Sequence, residues 1–275
     1  MDPDDYCAAR GPRAGSSFYY AVRFAPDRKR CLALYALIAD LYAIASSVSD
    51  ANVAAAKLAW WQQEIGALRE GSGSHPITRA LAAHGFSSEA AVNALLRASG
   101  AVGTDLTQTR FLDDRQLLAY CSAAGGAPLQ AYAMAKNIVA VESLTALDDL
   151  GSGIALARLL LRVGEDGRKG RIYLPHEELR KFQVPAADIL GARQSTALAA
   201  LAAAKARQST ELLDKALAAL RHEKRLVRPA LVLGRLYRAL LEASRDDGFK
   251  VALHRVSLTP LRKFATAWRT SALPW

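Results

Sequence analysis

Residues 151–175 read GSGIALARLLLRVGEDGRKGRIYLP, which sets four arginines, Arg158, Arg162, Arg168 and Arg171, around a single aspartate, Asp166. A guanidinium is a planar fork of N–H donors that meets phosphate oxygens in pairs, so the stretch suits direct contact with a phosphate or diphosphate. Arg158, Arg162 and Asp166 follow one another at four-residue steps, which on a helix puts them on one face and gives Asp166 an arginine partner one turn away. Mg2+ asks for several hard oxygen ligands, and Asp166 supplies at most one carboxylate. Cys7, Cys31 and Cys121 are widely separated and odd in number, so they read as idle or buried thiols rather than as a disulfide framework or a zinc site.

Helices must position these groups. Alanine and leucine dominate, β-branched residues are sparse, and the ten prolines fall mainly between periodic segments, so the chain reads as all-α. The apolar repeat predicts a major helix over about 27–46 and a second over 53–70, stopped by Gly71-Ser72-Gly73-Ser74. Within the second, Trp60-Trp61 reads as core plus a surface anchor. Shorter helices are expected over 77–84 and 88–107, and core helices over 116–136 and 144–164. The glycines and arginines of 164–175 read as a loop leading into a capped helix at His176. Helices over 186–220, 227–243 and 262–270 complete the chain. No repeat and no Pro, Gly or Ser-rich linker divides it, so residues 1–275 read as a single domain.

The formal net charge of +10 and a pI near 9.7 favour anionic partners. Paired Cys/His ligands and aromatics interleaved in a basic strand are missing, so nucleic acid is excluded as a partner. An anionic membrane surface or a protein partner is compatible with the charge, as is the plain reading of solvated helix faces. The acidic start, Met1-Asp-Pro-Asp-Asp, is unlike a secretory signal. The expected location is therefore cytoplasmic, with peripheral contact at the inner membrane face. Residues 116–135 lack charge and are long enough to span a bilayer, but Gly125, Gly126, Pro128 and Gln130 interrupt them, which favours a broken core helix.

Several stretches in order along the chain carry a resemblance: SSFYYAVRFAPDRKR, ALYALIADLYAIASSVSD, AKLAWWQQEI, HPITRAL, TDLTQTRF, LLAYC, GEDGRKGRIYLP, LYRALL and RVSL. Together they resemble the squalene and phytoene synthases, the head-to-head prenyltransferases, and among these the bacterial presqualene diphosphate synthases. The resemblance implies an isoprenoid-synthase helical bundle around a central cavity, in which aspartates on facing helices hold Mg2+ against a prenyl diphosphate. In this chain the three aspartate positions of the first motif fall on Tyr42, Ala43 and Ser46, and an upstream arginine falls on Ala39. Asp40 lies two residues before the motif, on another part of the helix surface. In the second motif the Gln, Asn, Arg and first Asp positions fall on Ala155, Arg158, Leu161 and Arg162, and only Asp166 keeps its carboxylate. A guanidinium in place of a metal-binding carboxylate repels the ion.

The same resemblance makes Ser17, Tyr19, Tyr35, Asp105, Tyr120, Arg158, Arg162, Asp166, Arg171 and Tyr173 the candidate ligand-binding residues, with Phe18 beside them. Each has a plainer reading. Tyrosines on helical faces are more often core than cavity, Arg171 and Tyr173 also fit a loop-forming role, and Asp105 a helix-end or hydrogen-bonding one. No catalytic residue, metal ligand or cofactor is assigned. The expectation is a protein that has lost Mg2+-dependent condensation and serves as a binding, scaffolding or assembly pseudoenzyme holding an isoprenoid or prenyl diphosphate. The alternative is an active prenyl-diphosphate transferase that recognises diphosphate through its arginines.

Overall fold

Polar caps set where most helices begin. In the computed structural model, which describes residues 1–48 and 50–272, Asp2 accepts from the Asp4 amide ahead of α1 (Pro3–Ala9), and Ser16 accepts from the Tyr19 amide ahead of α2 (Ser17–Arg23). Such a cap satisfies one of the amide donors that a helix N-terminus leaves open. The long α3 (Arg28–Ser47) follows, then α4 (Ala51–Gly66), capped by Asp50. His75 caps α5 (Pro76–Ala83), Ser88 caps α6 (Glu89–Thr107) and Asp113 caps α7 (Asp114–Cys121).

The charge-free stretch is broken where its glycines predicted. After α7 the backbone widens into a π-type turn, Ser122–Gly126, before α8 (Ala127–Met134). That turn lies against α9 (Val141–Leu160) so closely that a Cβ on Gly125 would sit 2.1 Å from the Gly151 carbonyl oxygen. Only glycine permits this approach. Among the described residues α3 is the helix long and apolar enough to cross a bilayer, and its Leu37, Leu41 and Ile44 are buried in the core.

Two expectations need correction. Of the stretch expected as a loop, only residues 169–175 form the expected non-helical lead to His176; the first part belongs to a short helix, α10 (Val163–Arg168). Its glycines are contact points: a Cβ on Gly164 would meet the Ala252 oxygen at 2.1 Å and one on Gly167 the Ile189 oxygen at 2.2 Å. The helix expected over 186–220 is split into α12 (Ala186–Leu190) and α13 (Thr196–Ala219), with Ala192 at a positive φ of 49° in the break. Ahead of α12, α11 (His176–Lys181) starts where expected. The chain closes with α14 (Lys224–Asp246), kinked at Val227 next to Pro229, and α15 (Pro260–Ala272).

No strand forms among the described residues; Arg110 and Ile172 make one isolated bridge. Two large apolar clusters divide the bundle, one built mainly from α9, α13 and α14, the other from α3 to α6. Trp61 is buried in the second while Trp60 is 43% exposed, the core-and-anchor pairing expected of them. Where the two halves face each other, across α2, α3, α8, α9 and α14, a cavity of about 690 Å3 remains.

Candidate functional site

One face of α3 and one face of α9 form opposite parts of the cavity wall, each by helical spacing. From α3 come Tyr35, Ile38, Ala39 and Tyr42; from α9 come Gly151, Ile154, Ala155 and Arg158, followed by Leu161 and Arg162. The correspondence inferred from sequence therefore brings Tyr42, Ala155, Arg158, Leu161 and Arg162 together around one space. Ala43 and Ser46 face outward: both are exposed, and the Ser46 hydroxyl donates back to the Tyr42 carbonyl at 3.1 Å. Asp40 is turned away and pairs with Arg10 at 3.7 Å.

Arg158 is the most telling residue of the wall. Its guanidinium lies over the Tyr42 ring, 5.5 Å from the centroid, a geometry of cation–π attraction. Among the described residues no carboxylate lies within ion-pair distance of it. Burial works against its charge, but the fields of Tyr237, Tyr42, Tyr120 and Asp166 outweigh burial and hold its pKa above the ordinary value. Burial pushes the Tyr42 phenol up to about 12, and its hydroxyl donates to the Ala124 carbonyl at 3.3 Å.

Arg162 is partly engaged. It contacts Glu165 at 2.9 Å and Asp166 at 3.5 Å, the pairing expected for Asp166, while its Nε is buried without a hydrogen-bond partner. Sequence reasoning missed four further residues of the lining, Arg13, Tyr237, Arg255 and Lys263. Tyr237 feels Arg158, Arg255 and Arg162 together, so these groups converge at one end. Lys263 donates to the Gly15 carbonyl at 2.8 Å, and burial, then Arg255, press its pKa down. Tyr237 and Arg255 fall within the quoted stretches LYRALL and RVSL; Arg13 and Lys263 carried no signal beyond their charge.

Among the described residues the lining thus holds five cations, Arg13, Arg158, Arg162, Arg255 and Lys263, and no aspartate or glutamate. Apolar groups such as Val22, Leu34, Leu129, Ile154, Leu233 and Leu240 make up much of the remainder. Among the described residues no group of three His, Cys, Asp or Glu is placed to hold a metal ion.

Of the ten candidate binding residues, Ser17, Tyr35, Arg158 and Arg162 line the cavity, and Phe18 lines it with them. The other six stand outside the lining. Asp105 is buried behind it, accepting from the Tyr120 hydroxyl at 3.0 Å and the Tyr173 hydroxyl at 2.8 Å, with Arg171 bonded to its carbonyl at 2.8 Å. Burial raises the Asp105 pKa against the lowering effect of these tyrosines and Arg171. Asp166 borders a recess of about 10 Å3 with Arg171 and Tyr173, room for no more than a water. Burial is also the main cause of its raised pKa, with Arg162 opposing. Tyr19 packs edge-on against Tyr20 at 5.4 Å, beside the core.

Comparison with known proteins matches this architecture. The family model described as squalene/phytoene synthase covers residues 12–262. A presqualene diphosphate synthase of Rhodopseudomonas palustris is 26% identical over 186 residues, spanning 66% of this chain and 66% of that protein, just under two thirds of its length. A squalene synthase from Alicyclobacillus acidocaldarius aligns over 90% of this chain and 94% of its own with a TM-score of 0.78 at 19% identity. A dehydrosqualene synthase solved in complex with a ligand aligns over 98% and 95% with a TM-score of 0.79 at 21% identity. At these identities the structures establish the fold, the isoprenoid-synthase type of helical bundle.

Proposed function

The chain belongs to the squalene/phytoene synthase family, and from that premise we propose that it binds an anionic isoprenoid such as a prenyl diphosphate without Mg2+ and no longer condenses two of them, acting as a binding or assembly protein. The observation that carries the reading is a lining that, among the described residues, has five cations and no aspartate or glutamate. Mg2+ draws charge off a departing diphosphate only when hard oxygen ligands hold it there. This donor set does not fit the ion: Asp166 lies outside the lining beside Arg162, and Asp105 is occupied by two phenols.

What the lining offers instead is direct recognition. Charge-assisted hydrogen bonds from guanidinium to phosphate are roughly twice as strong as neutral ones, and a desolvated setting strengthens them. Among the described residues no carboxylate is within ion-pair distance of Arg158, Arg162 keeps a buried Nε without an acceptor, and the Tyr237 phenol lies among Arg158, Arg255 and Arg162. Stacking on Tyr42 holds the Arg158 plane in place. The prenyl chain takes the apolar part of the cavity, between Val22, Leu34, Ile154 and Leu233.

Incubation with farnesyl or geranylgeranyl diphosphate and Mg2+ or Mn2+ is expected to yield no squalene, presqualene diphosphate or phytoene, while the unreacted diphosphate binds. Product at rates comparable to those of a homologue with intact aspartate motifs would overturn the reading. The same cationic end favours a second one, in which guanidinium and ammonium groups replace Mg2+ in drawing off the diphosphate. Product formed in the presence of EDTA would establish that alternative.

A further inference from the structure

Arg162 and Arg255 reach the cationic end from distant parts of the sequence, and contacts outside the cavity tie them together. Between the end of α14 at Asp246 and the start of α15 at Pro260 runs a strap that brings Arg255, Val256 and Ser257 to the lining. His254, Arg255 and Ser257 are exposed, so burial does little to hold this arginine in place. Val251 and Ala252, just before them, are buried. There the Gly164 amide, two residues after Arg162, donates to the Val251 carbonyl at 3.1 Å. The break between α12 and α13 closes on the same turn through Gln194. Its Oε1 accepts from the Ala252 amide at 3.2 Å, and its Nε2 donates to the Phe249 carbonyl at 3.2 Å and to the Ser195 carbonyl at 3.3 Å.

We propose that Gln194 is a positioning residue: by pinning the 249–252 turn it sets the Arg255 guanidinium relative to Arg162, so that both meet one anionic group, a role that rests on the anionic-ligand reading of the cavity. A side-chain amide that bonds a carbonyl and an N–H of the same turn fixes that turn's shape at both ends. The turn needs such a hold, because Phe249 has a φ of 51°, a left-handed conformation that a bulky residue keeps only when its surroundings impose it. The break that carries Gln194 is anchored in turn, since α12 packs on α10 where Gly167 admits the Ile189 carbonyl. The strap, the break and α10 therefore close a ring of contacts, with Arg162 at the start of α10 and Arg255 just past the pinned turn. Gln194 itself stands outside the lining, so it acts only through the arginine. An exposed arginine already held in its bound position loses less conformational freedom when the ligand arrives.

The test is a double-mutant cycle on the full chain, read by calorimetric titration with farnesyl diphosphate in EDTA for wild type, Gln194→Met, Arg255→Met and the double variant. Methionine keeps the length of glutamine without its hydrogen-bonding groups. Gln194→Met is expected to weaken binding about fivefold when Arg255 is present and less than about twofold when it is methionine, because a loss that acts through Arg255 cannot occur twice. A merely structural role would cost the same in both backgrounds. Equal loss in the two, or no loss from Gln194→Met, overturns the positioning role and leaves the proposed function standing. A wild type that does not bind farnesyl diphosphate overturns the proposed function, and the role with it. If Gln194→Met does not fold, hydrogen–deuterium exchange of wild type decides, since the Ala252 amide reports its bond to Gln194 directly. Bound farnesyl diphosphate should slow exchange at that amide, and exchange left unchanged by the bound ligand would overturn the role.

Discussion

The cationic end of the cavity and the Asp105 cluster behind it lie next to each other, bridged by Tyr42, yet they treat charge in opposite ways. Asp105 is closed: two phenols and Arg171 take up its carboxylate and carbonyl, all within the fold. Arg158 is open: it is half-buried at the cavity wall, it stacks on Tyr42, and it lacks a carboxylate partner among the described residues. A charge kept for stability is satisfied internally, because an unpaired buried group costs free energy. A charge without an ion-pair partner at a cavity wall keeps its donors for a ligand that supplies the counter-charge.

Substitutions can break that contrast at either end. The largest effect is expected from Arg158→Glu, which replaces a charge-assisted contact by repulsion and should weaken farnesyl diphosphate binding by about 3 kcal/mol, roughly 100-fold in Kd by calorimetry. Asp105→Ala should act on folding instead, leaving two buried phenols without their acceptor and lowering the denaturant-derived unfolding free energy by about 2 to 3 kcal/mol. Arg158→Met, which keeps an apolar contact with Tyr42, should cost the farnesyl diphosphate affinity while changing stability by no more than about 1 kcal/mol, since no ion pair among the described residues is lost with the guanidinium. If Arg158→Met unfolds the protein, the arginine is structural and the contrast disappears.

A second carboxylate sharpens the comparison through pH. Asp27 also accepts from a phenol, that of Tyr132, but it has Arg30 at 2.9 Å and Lys136 at 3.0 Å as well. Burial pushes its pKa up, and Tyr132, Lys136 and Arg30 outweigh burial to leave it below the ordinary value. Its contribution to stability is complete above the unfolded value of about 4 and is lost as pH falls through the lower folded value. Asp105, held above the ordinary value, works the other way: the extra stability of its protonated form is lost as pH rises through the raised value. Unfolding curves of Asp27→Asn should converge with wild type in strong acid and fall below it near neutrality. A difference that stays constant with pH would contradict the assignment.

Much of the fold was legible because helix starts and apolar repeats are local. Asp50, Ser88 and the Gly71 to Ser74 stop each act within a turn or two of the chain. One error arose where glycine serves packing: Gly164 and Gly167 read as breakers, although each admits a distant carbonyl to a short helix. The site divided in the same way. Tyr42, Arg158 and Arg162 could be placed by four-residue steps along two helices. Arg255 and Lys263 arrive from the far end of the chain through the packing of α14, α15 and α2, which no local pattern encodes. Asp105, Tyr120 and Tyr173 were expected at the ligand, but their mutual hydrogen bonds draw them behind the wall.

The most direct measurement of the central claim is calorimetric titration of the full chain with farnesyl diphosphate, once in EDTA and once in Mg2+, repeated with Arg162→Glu. Equal affinity in the two buffers, lost in the variant, is the predicted result. Binding that appears only with Mg2+, or that survives Arg162→Glu unchanged, would contradict it.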